Sequence, residues 1–252
     1  MSRGTTRIAA IALLAGSLAL TAVAGSPDTV SRTAVSGQQA VADHSPQDVV
    51  PIPAAYVGTE WLTNHYRERT NVFSGYAPLN GGVAFVGDSI TEGGDWAALF
   101  PGVETRNYGI GGDRAEGLLV RYRQVVDAKP GRIMLLIGTN DLANGQAPEV
   151  IAGRVDQLLS LWAEALPDTP VVVQSVLPRQ PEFDARIRDL NARLKAASER
   201  NGAAFLDIHS AFVVGNDRLD PAVTEDDLHL TAAGYARWVP LIDACVRTGA
   251  CG

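Results

Sequence analysis

A serine stands at the point where a buried strand should end, and its hydroxyl is a candidate for chemistry. Four apolar residues, Val83 to Val86, run into Gly87-Asp88-Ser89, and such a run is typical of a buried parallel strand. A serine hydroxyl becomes an effective nucleophile once a neighbouring base takes its proton. The alternative is structural, because serine is also among the preferred N-cap residues of a following helix.

Three later blocks of polar residues and glycines could supply partners for this serine. They are Asn107-Tyr108-Gly109-Ile110-Gly111-Gly112-Asp113, Gly138-Thr139-Asn140-Asp141 and Asp226-Asp227-Leu228-His229-Leu230. The first two end predicted strands, and the third precedes the last predicted helix. Ligands of an open α/β sheet bind at the carboxyl ends of the strands, so this order favours a functional site at that edge.

Predicted strands and helices alternate from Gly82 onward, as in a parallel sheet covered on both faces. Strands are predicted at about 83–87, 103–108, 132–137, 171–177 and 203–207. Helices are predicted at about 94–100, 115–127, 147–166, 183–201 and 232–247, after a short lead-in helix that starts near residue 59. The pattern predicts a three-layer α/β/α domain of the flavodoxin-like kind, with a five-stranded parallel sheet.

The N-terminus has the pattern of an export signal. Arg3 and Arg7 precede an apolar run from Ile8 to Val23, and Ala22-Val23-Ala24 has the form of a cleavage site. An uncleaved membrane anchor is the competing interpretation, but the apolar run is short for a span. We expect residues 1–24 to be a signal peptide, the protein to be secreted, and no stable membrane span to remain after cleavage.

The rest of the chain divides into a linker and one folded domain. Residues 25–55 are rich in Ser, Ala, Gln, Pro, Val and Asp without periodicity, which predicts a flexible linker, and residues 56–252 form the domain. The formal net charge is −7, which argues against a nucleic-acid partner because such proteins normally show a basic face. No apolar pattern identifies a subunit interface, so the oligomeric state is left open.

Cys245 and Cys251 both lie in the last eight residues of the sequence. They could form a small disulfide loop in an oxidising compartment or stay reduced. With no histidine nearby they make a poor zinc site. The sequence also contains no His-Glu-x-x-His, no phosphate loop and no complete dinucleotide fingerprint, so we expect neither a metal nor a cofactor.

The four blocks, in this order, resemble the SGNH, or GDSL, hydrolase superfamily. The resemblance extends from about Trp61 to Leu241. Within it, the chain is most similar to the catalytic subunits of the platelet-activating-factor acetylhydrolases. That narrower likeness is carried by Trp61 with His65, Gly109 to Asp113, Leu177-Pro178-Arg179, and Leu228-His229-Leu230-Thr231 leading to Gly234-Tyr235-Ala236.

The resemblance implies a role for each candidate residue. Ser89 would attack an acyl carbonyl, and His229 would act first as the base and then as the acid for the leaving alcohol. Asp226 would hold the imidazole of His229 in the useful tautomer. The backbone N–H groups of Ser89 and Gly112 and the side-chain amide of Asn140 would form the oxyanion hole.

Some of these residues also have structural interpretations. Gly111 and Gly112 could form only a tight turn, Asn140 could be a turn or capping residue, and His229 could be a surface residue before a cap at Thr231. We favour the functional interpretation because the blocks occur together and in order.

Other residues compete for these roles or depart from the family pattern. Asp227 competes with Asp226 but lacks the family spacing, and His209 is a rival base that we expect to pack locally. Arg114 stands where many relatives carry Thr or Ser. It could meet an anionic or polyhydroxylated substrate, or pair with Asp113, and we favour the pairing.

Together with the export signal, the resemblance predicts a secreted, metal-independent serine esterase that acts on small acyl esters, acetyl esters above all. The expected substrate is a small-molecule acyl ester, either an acetylated carbohydrate or a lipid ester. A lysophospholipase or other lipid esterase, an acyltransferase and a non-catalytic binding module are the alternatives. The serine does not lie in a G-x-S-x-G motif, which excludes the usual α/β-hydrolase nucleophile elbow.

Overall fold

A computed structural model describes residues 49–215 and 217–251 of the chain. The predicted signal peptide, residues 1–24, and residues 25–48 of the predicted linker lie outside the described residues. Val50 and Ile52 already pack against the hydrophobic core. They precede a single 3-10 turn at Ala54–Tyr56.

Five parallel strands form the central sheet of the domain. They are β1 (Val83–Gly87), β2 (Thr105–Gly109), β3 (Arg132–Leu136), β4 (Val171–Gln174) and β5 (Ala204–Leu206). The strand order is β2-β1-β3-β4-β5, and β1 has Gly109 opposite Gly87 on one side and Leu136 on the other. The parallel sheet confirms the predicted flavodoxin-like α/β/α class.

Helices cover both faces of this sheet. They are α1 (Glu60–Ser74), α2 (Ser89–Glu92), α3 (Trp96–Leu99), α4 (Ala115–Asp127), α5 (Thr139–Ala143), α6 (Pro148–Ala165), α7 (Asp184–Arg200) and α8 (Ala232–Thr248). Buried side chains of α1, α4, α6 and α7 form one core cluster, and those of α3 and α8 belong to a second cluster. The two clusters are the interfaces between the three layers.

The strand β1 shows why its sequence is apolar throughout. Ala84 and Val86 belong to the first core cluster, whereas Val83 and Phe85 belong to the second. Successive side chains of a strand point to opposite faces of the sheet. Because both faces of β1 are covered, all five of its residues are buried.

The helix predicted at 94–100 is shorter than expected. The chain forms the one-turn helix α2 directly after β1, passes through Gly93-Gly94, and then forms α3. Asp95 caps α3 by accepting a hydrogen bond from the backbone N–H of Ala98 at 3.2 Å. The two glycines and this cap separate the two turns, since glycine is a poor helix former and aspartate favours the N-cap.

The C-terminal part of the domain carries two further features. A short antiparallel pair, β6 (Val213–Val214) and β7 (Arg218–Leu219), lies between β5 and α8. Cys245 on α8 is joined by a disulfide to Cys251, with their Cα atoms 4.6 Å apart. In the described parts of the chain, every helix is too short or too polar to span a bilayer.

Candidate active site

Ser89 begins α2 immediately after β1. The turn between these elements is tight, because a Cβ atom on Gly87 would overlap the carbonyl oxygen of Leu136. The N-cap of α2 is Asp88, whose carboxylate accepts a hydrogen bond from the backbone N–H of Ile90 at 3.0 Å. The cap position is therefore filled by Asp88, and the Ser89 hydroxyl is left for another partner.

That partner is His229. Its Nε2 atom lies 3.0 Å from Oγ of Ser89, and its Nδ1 atom lies 2.6 Å from Oδ2 of Asp226. Both distances are within the reach of about 2.6–3.2 Å that proton transfer between positioned groups requires. The side chains of His229 and Asp226 are 50% and 52% exposed, so this hydrogen-bonded chain is open to a ligand from solvent.

The charge of Asp226 is fixed by the turn that it shares with His229. Partial desolvation opposes the charged carboxylate, but hydrogen bonds outweigh that effect and lower the pKa of Asp226 to about 2. The donors are the His229 ring, the backbone N–H of His229 at 2.7 Å and the backbone N–H of Leu228 at 3.0 Å. Asp226 is therefore ionised at neutral pH and faces the imidazole as an anion.

The carboxylate of Asp227, the rival of Asp226, points away from the His229 ring. Asp227 accepts a hydrogen bond from the guanidinium of Arg218 at 2.6 Å. Its backbone is left-handed, with φ of 58°, which turns the chain between the two acids. The structure thus places Asp226, and not Asp227, against the His229 ring.

The serine and histidine segments are also tied together away from the reacting atoms. The hydroxyl of Tyr235, on α8, donates a hydrogen bond to the carbonyl oxygen of Ile90 at 2.8 Å. On the other side, the Gln180 side-chain amide donates to the carbonyl oxygen of Asp226 at 3.4 Å. The Tyr235 contact joins α8 to the serine turn, and the Gln180 contact joins the loop after β4 to the turn that carries Asp226.

The glycine loop after β2 lies beside β1, and Asn140 lies after β3 on the other side. Gly112 has φ of 76°, a conformation that glycine adopts without strain. A Cβ atom at this position would lie 2.8 Å from the indole of Trp61, so a side chain here would be strained and would have to displace that indole. The Nδ2 atom of Asn140 donates to the carbonyl oxygen of Asp113 at 3.0 Å, which joins the start of α5 to the glycine loop.

A buried ion pair, which the sequence analysis missed, lies beneath the glycine loop. Arg121 on α4 contacts Asp113 at 2.9 Å, and both side chains are fully buried. The guanidinium also donates to the carbonyl oxygens of Gly87 at 3.2 Å and Tyr108 at 2.8 Å. Arg121 therefore fixes the carboxyl ends of β1 and β2 relative to each other.

The expected pairing of Arg114 with Asp113 is wrong, because other groups occupy that carboxylate. Besides Arg121, it accepts hydrogen bonds from the Tyr56 hydroxyl at 2.5 Å and from the backbone N–H of Arg114 at 3.0 Å. The guanidinium of Arg114 instead lies over the Tyr56 ring, 5.2 Å from its centroid. Only the backbone of Arg114 contacts the acid.

The rival base His209 lies at the end of β5, in a short 3-10 helix. Together with Asp207, Ser175 and Lys195 it lines a separate cavity of about 670 Å³. Burial lowers the pKa of the His209 ring. His209 is half-buried there, and the histidine that contacts Ser89 is His229.

Two buried carboxylates near the site have raised pKa values. Burial raises the pKa of Asp88 to about 7 and likewise raises the pKa of Asp141 to about 7. The Asp141 carboxylate accepts the backbone N–H of Ala115 at 3.2 Å and 3.3 Å. This contact holds the start of α4 against the start of α5, but burial still favours the neutral acid.

Asp141→Asn should change how the stability of the protein depends on pH. A carboxyl whose pKa is raised on folding stabilises the native state fully below its unfolded pKa, and that contribution is lost as the pH rises through the folded value. For Asp141 the loss runs from about pH 4 through pH 7, whereas asparagine has no such loss. The Tm of the variant relative to wild type should therefore rise between pH 5 and pH 8, as measured by thermal unfolding.

The matched control for this change is Asp168→Asn, which alters an exposed turn after α6. We expect its Tm difference to stay constant over the same pH range. A Tm difference for Asp141→Asn that is equally constant would contradict the assigned role of its burial.

Comparison with known proteins identifies the family. Residues 85–237 match the GDSL-like Lipase/Acylhydrolase family, a span that includes Ser89, Gly112, Asn140, Asp226 and His229. The chain belongs to this family. The predicted SGNH/GDSL resemblance is thereby confirmed, and the activity of this GDSL-like acylhydrolase is that of a carboxylic ester hydrolase.

Individual relatives agree with this assignment. The alpha2 subunit of platelet-activating factor acetylhydrolase IB from Rattus norvegicus is 30% identical over 166 residues, covering 62% of this chain and 71% of the rat protein. A GDSL-like lipase from Bacteroides thetaiotaomicron is 28% identical with a TM-score of 0.62, over 73% of this chain and 98% of that chain. An acetyl-xylooligosaccharide esterase from Geobacillus, 18% identical, shares the fold with a TM-score of 0.55 over 67% of this chain and 96% of its own.

Proposed function

We propose that this acylhydrolase cleaves small acyl esters, acetyl esters above all, with Ser89 as the nucleophile. His229 is the general base and Asp226 orients it. The observation that carries the proposal is the continuous hydrogen-bonded chain from Oγ of Ser89 through both ring nitrogens of His229 to Asp226. A serine hydroxyl, a base in reach and a third group that orients the base are the parts needed for an activated nucleophile.

The reaction follows from this arrangement in two halves. Oγ of Ser89 attacks the acyl carbon while its proton passes to Nε2 of His229, and the ionised Asp226 stabilises the imidazolium that forms. The tetrahedral intermediate then collapses, the ester C–O bond breaks, and the alcohol leaves with the proton from His229. Water, deprotonated by His229, attacks the acyl-serine in the same way and releases the carboxylic acid and the free serine.

The developing oxyanion needs hydrogen-bond donors. We assign the backbone N–H groups of Ser89 and Gly112 and the Nδ2 group of Asn140 to this task. A side-chain amide carries two N–H donors, and Asn140 uses one of them for the carbonyl oxygen of Asp113. Its second donor is available to the substrate oxygen.

Asn140→Ala should lower kcat by about 10²–10³-fold, the usual effect of losing one oxyanion donor. KM should change much less, because the donor acts mainly in the transition state. Steady-state kinetics on p-nitrophenyl acetate measure both constants. Asn71→Ala, on the exposed face of α1, is the matched control, and a change confined to KM in Asn140→Ala would show that the oxyanion assignment is wrong.

Acetyl is favoured as the acyl group because the rat relative is named an acetylhydrolase. The half-exposed His229 and Asp226 leave room for a larger alcohol outside the acyl site. We propose an acetylated carbohydrate as the natural substrate class, which suits an exported enzyme. A lipid ester is the second candidate, because the same relative is named for platelet-activating factor.

Export itself is part of the proposal. It rests on the N-terminal signal pattern, and the disulfide between Cys245 and Cys251 supports it, since disulfides persist mainly in oxidising compartments. The test is the N-terminal sequence of protein recovered from the medium of the producing cell. Cleavage after Ala24 would support export, and retention of full-length protein inside the cell would contradict it.

A chain-length series of p-nitrophenyl esters tests the acyl preference. We expect kcat/KM to be highest for acetyl and to fall through butyryl and octanoyl to palmitoyl, with no loss of activity in EDTA. A maximum at octanoyl or palmitoyl would favour a lipid ester. Added alcohol that increases p-nitrophenol release while suppressing acetic acid formation would identify a transferase, and no release at any length would favour a binding role.

A further inference from the structure

Glu92 joins the serine turn to the glycine loop. It is the last residue of α2, one helical turn after Ser89. Its Oε2 atom accepts a hydrogen bond from the backbone N–H of Gly111 at 2.5 Å. Gly111 directly precedes Gly112, so this carboxylate fixes the residue before the proposed oxyanion donor.

Two basic side chains of α1 hold the Glu92 carboxylate in place. Nε2 of His65 lies 2.9 Å from Oε2, and Nε of Arg69 lies 3.2 Å from Oε1. The Glu92 side chain is only 24% exposed, so these contacts are partly sheltered from solvent. Arg69 also donates to the carbonyl oxygen of Gly109 at 3.0 Å and 3.1 Å, which holds the start of the same loop.

The glycine loop after β2 needs the support of Glu92 and Arg69 because it is rich in glycine. Gly109, Gly111 and Gly112 have no side chains that could pack and fix their peptides, and glycine has the widest choice of backbone conformations. The N–H direction of Gly112 depends on the conformation of Gly111. Since an oxyanion donor acts only when it points at the developing charge, a small rotation here would weaken it.

We propose that Glu92 is a positioning residue for the oxyanion hole. It holds Gly111 so that the Gly112 N–H keeps its direction, and it does so from the same turn that carries Ser89. The backbone N–H groups of Ser89 and Gly112 thereby keep a fixed position and direction relative to each other. This inference rests on the proposed function, because it requires Ser89 and Gly112 to act in the reaction.

The test compares variants of Glu92 that differ in whether they can accept a hydrogen bond. Glu92→Ala should lower kcat on p-nitrophenyl acetate by about 10–100-fold, less than the loss of a whole donor, with KM changed by less than about threefold. Glu92→Gln retains a side-chain oxygen for the Gly111 N–H and should stay within about fivefold of wild type. Glu92→Met keeps the side-chain volume but lacks a hydrogen-bond acceptor, so its kcat should fall as much as that of Glu92→Ala. If Glu92→Ala does not fold, Glu92→Met takes its place in the comparison with Glu92→Gln.

Controls separate positioning from folding. Glu104→Ala removes a glutamate that pairs with Arg106 at 3.5 Å before β2, away from the site, and should leave kcat unchanged. Titration of the reactive serine with a fluorophosphonate gives the fraction of active sites, so that kcat is expressed per site. Positioning lowers kcat per site, whereas a purely structural role lowers only the number of sites.

Three results would overturn the inference. They are a wild-type kcat per site in both Glu92→Ala and Glu92→Met, an equal loss in Glu92→Gln and Glu92→Ala, or a loss that comes only from fewer titratable sites. Ser89→Ala, measured beside them, distinguishes the two proposals. If it abolishes hydrolysis while Glu92→Ala does not affect kcat, only the positioning role fails; if it retains hydrolysis, the proposed function fails and the inference with it.

Discussion

Ser89→Ala is expected to lower kcat for ester hydrolysis by about 10⁵-fold or more, as for other serine hydrolases that lose the nucleophile. Without Oγ no acyl-serine can form, and His229 has no proton to accept from residue 89. The fold should be unaffected, because the cap of α2 is made by Asp88 and the Ser89 hydroxyl contacts His229. Turnover of p-nitrophenyl acetate and thermal unfolding measure the two effects on one preparation.

A matched serine shows whether the effect is specific. Ser160→Ala changes an exposed residue of α6 and should leave both kcat and Tm unchanged. A Ser89→Ala variant that retains more than a few per cent of wild-type turnover would mean that another group, or water directly, attacks the ester.

Arg121→Met is expected to lower the free energy of unfolding by about 3–5 kcal/mol, because it removes one partner of a buried ion pair. The change leaves the fully buried Asp113 carboxylate without its cation. It also removes the donors to the carbonyl oxygens of Gly87 and Tyr108 at the ends of β1 and β2. Denaturant unfolding at pH 7 measures the loss.

The neighbouring arginine on the same helix provides the control. Arg123→Met replaces an exposed guanidinium of α4 and should change the unfolding free energy by no more than about 0.5 kcal/mol. Adding Asp113→Asn to Arg121→Met should recover part of the loss, since the double variant no longer buries an unpaired charge. Equal effects of Arg121→Met and Arg123→Met would show that the buried pair does not stabilise the domain.

The sheet could be predicted because its strands are buried on both faces. Val83 to Val86 of β1 and Ile133 to Leu136 of β3 are therefore continuous apolar runs, and each run leads into glycine and polar residues at the functional edge. The candidate residues could be predicted for a related reason. Each follows a predicted strand or precedes the last helix. The approximate positions of these elements were therefore sufficient to predict that Ser89, Asn140 and His229 lie at the same edge of the sheet.

The residues that support the site were harder to predict, because they act through long-range contacts. Arg121 did leave a signal, since it lies between Leu118 and Val125 on the buried face of α4, where a charged residue requires a buried partner. Glu92 left a weaker signal in the sequence, because nothing in a short polar turn indicates that its carboxylate accepts a hydrogen bond from Gly111. The expected partner of Asp113 was wrong for the same reason. Arg114 is the next residue in the sequence, whereas the actual partner, Arg121, lies eight residues further along, on α4.

The most direct test of the mechanism is to trap the nucleophile. Wild-type protein should react with a fluorophosphonate to gain one phosphonyl group, lose hydrolysis in proportion, and carry the label on the peptide that contains Ser89. Ser89→Ala should remain unlabelled, and His229→Ala should react far more slowly because the base is missing. Complete labelling at another residue, or unlabelled protein that still loses activity, would contradict the assignment of Ser89 as the nucleophile.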